Sequence, residues 1–372
     1  MEVKTRVNPG LTKDELLELK DSFEKLKKVF ARYDSDIAAV VANYGATVMQ
    51  FILIDRNKTK FNEFMMDKLM TTLGEEFGTD AIQIMSDSSG AGDIEIHIPQ
   101  KNRKYITFNQ CIEAAKSQGI DKLSIPIGLT PSGKLEFCGV EDNNRLLVGG
   151  GVGSGKTMLL HGIINYLARE NTPDELKFVI FDKRQNLSSY NDLNHLLFHG
   201  TIYDDYGAYE VFKWIKAESD WRKTLFEREG CRKLSEYNEF QKISGESGLP
   251  RIVIIIDELG DWANGDINKA LKETFLIKSL SSCGFFFVIS TNNPSHQTLS
   301  VELAELFSAR IAFKVDTMTE SRILINRSRA VNLLGNGDML YLKNGTRGVN
   351  RLQAPLIGPE DIDETLALCA KE

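Results

Sequence analysis

The feature that most constrains the fold of this chain is a glycine-rich turn between an apolar run and a helix-forming run. Leu146 to Val148 lead into Gly150 to Thr157, which fits the pattern G-x-x-x-x-G-K-[ST], and apolar residues follow. Glycines let successive backbone N–H groups curl around a phosphate, and the following helix points its positive end at the same anion. A purely structural glycine turn would not need this strand–loop–helix context. The stretch therefore predicts a nucleotide site.

Each part of this loop has a predicted role. Lys156 reaches the outer phosphates of the nucleotide, and the Thr157 hydroxyl ligates Mg²⁺. The residues predicted to bind the nucleotide are Gly150, Gly151, Val152, Gly153, Ser154, Gly155, Lys156, Thr157 and Met158.

A second motif is an apolar strand, Arg251 to Ile256, that ends in Asp257 and Glu258. P-loop ATPases hold Mg²⁺ through an acid at this place, so Asp257 is the predicted second metal ligand. Glu258 is then placed to orient and polarise the attacking water. A further apolar run at 178–181 predicts a sheet in which one strand lies between the two motifs. P-loop kinases and GTPases fit less well, because they lack an equivalent of Glu258.

Two later strands carry weaker signals. The run from Cys283 ends in polar residues, where Asn292 either senses the γ-phosphate or belongs to a simple turn before Pro294. Arg310 opens the next strand. It either forms a local ion pair, the commoner case, or reaches a neighbouring subunit's nucleotide as an arginine finger.

The rest of the pattern predicts an α/β fold with two domains. Strands and helices alternate after the glycine-rich loop, which indicates a mostly parallel sheet. We predict a small α+β domain over residues 1–119 and a P-loop ATPase motor domain over residues 120–372. In the first domain we expect a strand at 105–108 and a solvent-facing His97. In the second we expect Trp214 and Trp221 to anchor the core.

Composition limits the class of protein. The 372 residues are 42% hydrophobic and 26% charged, which is ordinary for a globular protein. No apolar run reaches the roughly 18 residues that a membrane span needs, and the five cysteines are scattered. We therefore expect a reduced, cytoplasmic protein without membrane insertion. A net charge of -7 argues against a generally basic nucleic-acid binder, although a ring can confine positive charge to its pore.

Several stretches resemble the FtsK/SpoIIIE family of ring-shaped DNA translocases, over nearly the whole chain. Segments similar to the family's "IDPK…Y…HL", W-x-x-x-E-x-x-x-R, "SRIAFRV" and "LLGRGDML" begin at Leu176, Trp214, Ser308 and Leu333. The amino-terminal region is similar to the family's α subdomain, with Gly45-Ala-Thr-Val in place of "GPTV".

This resemblance implies a RecA-like P-loop motor that hydrolyses ATP with Mg²⁺. It also implies a homo-hexameric ring that pulls double-stranded DNA through its centre. Arg310 would then complete the active site of the neighbouring subunit, with Lys183 and Arg184 as alternatives. Glu258 and Lys156 would act within their own subunit, with Asn292 as the sensor.

The chain departs from the family pattern at places that bear on its cargo. The family's "ATQRP" is Ser290-Thr-Asn-Asn-Pro294 here, and its pore segment "GLIKAN" is Val301 to Leu306, which has lost its lysine and gained acids. Phosphate contacts supply most sequence-independent DNA affinity, so these changes weaken the case for DNA. The family's membrane anchor and winged helix have no counterpart here, which does not favour chromosome-dimer resolution at a septum.

Three functions therefore remain open. The first is a DNA translocase. The second is a conjugation coupling ATPase or a type VII-like protein-secretion ATPase. The third is a nucleotide-binding assembly factor that hydrolyses ATP poorly.

Overall fold

The computed structural model describes residues 5–57, 59, 63–86, 93–143, 145–262, 265–295, 299, 301–346 and 348–369. Within this part of the chain lie two β-sheets, and helices pack against both.

The amino-terminal sheet has the strand order β1-β2-β3-β5-β4. Its strands are β1 (Arg6–Val7), β2 (Ile37–Tyr44), β3 (Val48–Asp55), β4 (Gln83–Ser86) and β5 (Asp93–Pro99). Apart from the parallel β1–β2 pair, neighbouring strands are antiparallel. The helices α1 (Lys13–Ala31) and α2 (Glu63–Phe77) contribute to its apolar core. Thr12 caps α1, and its side chain forms a capping box with Glu15.

The second sheet is nine-stranded in the described residues, with the order β7-β6-β14-β13-β12-β8-β11-β10-β9. Its strands are β6 (Ser124–Leu129), β7 (Leu135–Gly139), β8 (Arg145–Gly149), β9 (Leu176–Phe181), β10 (Arg251–Ile256), β11 (Phe285–Thr291), β12 (Ala309–Phe313), β13 (Asp338–Leu342) and β14 (Val349–Gln353). β8 to β12 are parallel, as predicted, and the others add as antiparallel strands.

Helices complete this half of the chain. They are α3 (Phe108–Ser117), α4 (Lys156–Glu170), α5 (Asp205–Arg228), α6 (Leu234–Ser244), α7 (Gly265–Phe275), α8 (Val301–Glu305), α9 (Met318–Ile325) and α10 (Pro359–Leu368). Two apolar clusters lie on the two faces of the sheet, because alternate residues of the central strands join different clusters: Leu146 and Val148 join one, Leu147 the other. This layering is typical of α/β folds with helices on both faces.

One strand does lie between the two nucleotide motifs, but it is not the run at 178–181. β11 separates β8 from β10, and β9 lies at the edge of the sheet beyond β10. Parallel strands need a crossover, so the strand that follows in sequence is not obliged to be the neighbour in space.

Three local expectations are wrong. Residues 105–108 form no strand: α3 begins at Phe108 with Thr107 as its cap, and Phe108 packs in the core of the second sheet. Trp221 is 50% exposed on α5, whereas Trp214 packs against Phe198 at the core edge. The division at residue 119 stays a prediction, although the packing of α3 places that helix with the motor.

The third wrong expectation concerns His97, which is 1% exposed. Its neighbours Ile96 and Ile98 do face the amino-terminal core, so the alternation along β5 is correct. The opposite face is not open to solvent, however, because residues of the second sheet and its loops lie against it. Alternation in one strand assigns faces, but it cannot tell which face another domain covers.

Candidate nucleotide-binding and catalytic site

The glycine-rich loop connects β8 to α4 at the carboxyl end of the parallel strands. Two positions of this loop require glycine, because a side chain there would clash with neighbouring residues. A Cβ on Gly150 would lie 2.6 Å from Phe313 Cβ, and Gly155 has φ +121° with Gly337 N only 3.1 Å from where a Cβ would be. Side chains at these positions would push the loop out of place. The loop can therefore present its backbone and the first turn of α4 to a phosphate.

The predicted binding residues lie together along this turn. Val152 is 90% exposed at the tip, and Met158 is exposed in the first turn of α4. Ser154 is buried, and its hydroxyl has no hydrogen-bond partner among the described residues. The Gly151 amide donates to Lys314 O at 2.7 Å, which fixes the loop to the end of β12.

Lys156 is folded back onto its own loop. Its Nζ donates to Gly150 O at 2.7 Å and to Gly151 O at 2.6 Å, and the side chain is buried. Desolvation lowers the pKa of Lys156 to about 8, and the charges of Glu258 and Asp257 oppose this shift. The ammonium group is therefore close enough to both acids to be stabilised by their charges, and a bound triphosphate would further stabilise its protonated form.

Both predicted acids lie at the end of β10. Asp257 Oδ1 accepts a hydrogen bond from Ser290 Oγ at 2.7 Å, and Oδ2 accepts one from Asn186 Nδ2 at 2.9 Å. Glu258 is 4% exposed, and its φ of +56° is uncommon for a residue with a side chain. Backbone outliers of this kind cluster at functional sites, where surrounding contacts impose them.

The end of β11 joins the two motifs. The Gly150 amide donates to Thr291 O at 3.2 Å, and Thr291 Oγ1 donates to Glu258 Oε1 at 3.2 Å. The Glu258 amide donates to Ser290 Oγ at 3.1 Å. The end of β11 thus contacts both the loop and the acids, and these contacts fix their relative positions.

Asn292 contacts Glu258 through its backbone rather than its side chain. Its amide donates to Glu258 Oε2 at 2.8 Å. The structure therefore brings Asn292 to the site, and the role of its side chain toward the γ-phosphate stays a prediction.

Arg310 lies in the same sheet but points into the protein. It is 7% exposed, Nε donates to Phe307 O at 3.3 Å, and Nη1 donates to Leu324 O at 3.4 Å. Desolvation lowers the pKa of its guanidinium. A role in a neighbouring site would require this side chain to leave both carbonyls, so the finger assignment stays a prediction.

Lys183 and Arg184, the alternatives to Arg310 as the arginine finger, form ion pairs at the surface near the end of β9. Arg184 makes a bidentate pair with Asp261, at 2.6 and 2.8 Å. Lys183 Nζ lies 2.5 Å from Asp205 Oδ1.

The oxygen atoms at this site fit Mg²⁺. A threonine hydroxyl and one carboxylate are hard oxygen donors, which suit a small divalent cation. Among the described residues no group of three or more His, Cys, Asp or Glu could hold a metal ion. Mg²⁺ usually takes few protein ligands and completes its shell with phosphate and water.

Sequence reasoning missed Asn186, Ser290 and Thr291, which position the two acids. Asn186 lies in the turn after β9, where its amide and that of Leu187 donate to the buried Asp182 at 3.0 and 2.6 Å. Polar residues directly after parallel strands were the available signal, because all such ends meet at one edge of the sheet.

The fold and this site define a RecA-like P-loop ATPase domain. The family model for the FtsK/SpoIIIE family matches residues 113–331, more than half of the chain. The chain therefore belongs to the FtsK/SpoIIIE family.

Curated relatives extend the similarity beyond this domain. The chain is 26% identical over 365 residues to DNA translocase FtsK from Oceanobacillus iheyensis, covering 95% of the chain and 46% of the relative. It is 27% identical over 357 residues to DNA translocase SpoIIIE from Bacillus subtilis, covering 93% and 45%. The chain thus spans less than half the length of these relatives.

Two solved structures share the fold. One is the pCW3 conjugation coupling protein TcpA, a monomer form with ATPγS, with a TM-score of 0.59 at 19% identity, covering 95% of this chain and 99% of that one. The other is the cytoplasmic domain of the type VII secretion ATPase EccC from Thermomonospora curvata, with a TM-score of 0.59 at 20% identity, covering 68% and 31%. In the described residues no helix has the length and apolar character to span a membrane.

Proposed function

We propose that the chain is an ATP-driven motor that translocates double-stranded DNA as a cytoplasmic, homo-hexameric ring. One observation carries the proposal. Over nearly its whole length the chain is similar to proteins named DNA translocases, from the amino-terminal sheet through the glycine-rich loop and the acids at the end of β10. The five free cysteines suit a reducing compartment.

Hydrolysis in this proposal depends on positioned groups. The loop amides and Lys156 hold the β- and γ-phosphates, and Thr157 and Asp257 would hold Mg²⁺. When bound, that ion neutralises charge on the phosphate oxygens. Glu258, fixed by the amide of Asn292 and by Thr291, accepts a hydrogen bond from the attacking water and directs it at the γ-phosphorus.

The completed site would span two subunits. Arg310 of a neighbour would stabilise the charge that develops in the transition state, and Asn292 would report the presence of the γ-phosphate. Such an arrangement couples hydrolysis to the relative position of subunits, which a translocating ring requires.

The experiment is the ATPase rate with and without long duplex DNA, with Glu258→Gln as the inactive control. We expect stimulation by about tenfold or more that falls steeply with salt, because DNA binding releases counterions. An unstimulated rate in the presence of saturating duplex would contradict DNA as the cargo.

The alternative function is a type VII-like secretion ATPase, whose cargo is protein, or a conjugation coupling ATPase. The acidic segment at 301–306 favours it, because Glu305 is exposed where the family has a basic pore segment. The side chains of 301 and 302 lie outside the described residues. Retention of an unfolded substrate peptide, together with no retention of duplex DNA, would support this function instead.

A further inference from the structure

A cavity of about 270 Å³ lies between the amino-terminal sheet and the motor, away from the nucleotide loop. Gln50, Glu95 and His97 line one side, from β3 and β5, and Arg329 and Arg351 line the other. Lys134 and Arg327 lie at the exposed part of its lining. The lining therefore contains four cationic side chains and only two carboxylates, those of Glu95 and Glu136.

Its walls are held rigidly. Arg351 makes a buried bidentate ion pair with Asp338, at 2.9 and 2.7 Å. On the other side, Glu95 Oε1 lies 2.7 Å from His97 Nε2 and accepts from Gln50 Nε2 at 2.5 Å. Gln83 Nε2 donates to Arg329 O at 3.2 Å, which joins the two walls.

Two of the side chains that line the cavity each carry a buried polar atom that has no hydrogen-bond partner among the described residues. The atoms are His97 Nδ1 and Arg351 Nη1, on side chains that are 1% and 2% exposed. Buried polar atoms are almost always paired, because an unpaired one carries an uncompensated desolvation cost. A ligand that pairs both atoms would remove that cost.

The chemistry of the two atoms specifies the ligand. Nε2 faces a carboxylate, so it carries the proton of a neutral ring, and Nδ1 is then an acceptor. Arg351 Nη1 is a donor. Monohydrogen phosphate satisfies both, because its O–H donates to Nδ1 and its charged oxygens accept from Arg351 and the cations at the exposed lining. Chloride cannot donate, and neither can fully ionised sulfate.

We propose that this cavity is a phosphate-binding site, distinct from the nucleotide loop, that takes free phosphate or a terminal phosphate group of nucleic acid. The proposal does not depend on DNA translocation. Ligand occupancy would bridge β5 of the first sheet to β14 of the second, and so stabilise one arrangement of the two domains.

The test uses the full chain with Lys156→Ala, because the nucleotide loop would otherwise bind phosphate itself. Isothermal titration with inorganic phosphate is compared with sodium chloride and sulfate at equal ionic strength. A second variant adds Lys134→Ala and Arg327→Ala, both exposed and so safe for folding. Its matched control adds Lys28→Ala and Arg103→Ala, which remove the same charges outside the cavity.

We expect phosphate to bind in preference to sulfate and chloride, and the cavity variant to bind it at least tenfold more weakly than the matched control. Each charge-assisted hydrogen bond contributes about that factor. Equal phosphate affinity in the two variants, or equal binding of the three anions, would overturn the proposal.

A second arm distinguishes the sources of phosphate. Fluorescence anisotropy follows a short duplex that carries a 5′-phosphate, with inorganic phosphate as competitor. If inorganic phosphate displaces the duplex only when the duplex carries a 5′-phosphate, the site binds the end of a nucleic acid. If the duplex has no effect on the binding of inorganic phosphate, the site binds free phosphate.

Discussion

The backbone amide of Asn292 lies 2.8 Å from Glu258 Oε2, so the residue proposed as the sensor holds, through its main chain, the carboxylate proposed to activate water. This contact survives any side-chain substitution that leaves the end of β11 in place. The two roles of Asn292 can therefore be separated by mutation.

Glu258→Gln should retain ATP binding and lose turnover by about 10²–10⁴-fold, the range of general-base contributions. The amide of the new glutamine cannot accept a proton from water, but it keeps the size of the side chain. Binding is measured with a fluorescent ATP analogue, and turnover by phosphate release. A variant that hydrolyses ATP normally would exclude Glu258 as the group that activates water.

Asn292→Ala should lower kcat while leaving nucleotide affinity within about twofold, because the amide contact with Glu258 remains. We expect a loss of about tenfold, the equivalent of one lost hydrogen bond to a charged oxygen. The control is Asn293→Ala, one position further along the same loop. If both variants match the parent in kcat, the side chain of Asn292 does not sense the γ-phosphate.

Asn186→Ala should raise the Mg²⁺ concentration needed for half-maximal ATPase activity. Its amide orients Asp257 Oδ2 at 2.9 Å, and partners of this kind typically contribute 10–100-fold to metal affinity. ATP binding without Mg²⁺ serves as the second readout and should not change. Gln185→Ala, in the same turn, is the matched control. An unchanged Mg²⁺ dependence would show that the hydrogen bond from Asn186 to Asp257 does not contribute to Mg²⁺ affinity.

Arg310→Ala should retain ATP binding and lose turnover, and mixing it with Lys156→Ala should restore part of the activity. Mixed rings contain interfaces in which an intact loop meets an intact Arg310. A purely structural role predicts a different result: a lower melting temperature for the isolated chain and no recovery on mixing. The structural role is the specific alternative, because the Arg310 guanidinium donates hydrogen bonds to the carbonyls of Phe307 and Leu324.

Much of the site could be predicted from the sequence because its chemistry is local. The loop at 150–157 and the acids at 257 and 258 follow directly from patterns along one strand and one turn. Asn186 and Ser290 could not be found this way, since their contacts with Asp257 depend on which strands become neighbours.

The same limit explains the errors in the fold. His97 lies on a face whose covering comes from residues more than 200 positions later, such as Arg329 and Arg351. Side-chain alternation carries no information about such distant packing.

The most direct measurement of the central claim is a triplex-displacement assay. A third strand is annealed to one end of a long linear duplex, and its release is followed with ATP for the parent chain and for Glu258→Gln. A DNA translocase should displace the strand only with ATP, at a delay that grows with the distance to be travelled, and the variant should not. ATP hydrolysis without displacement at any duplex length would contradict the account.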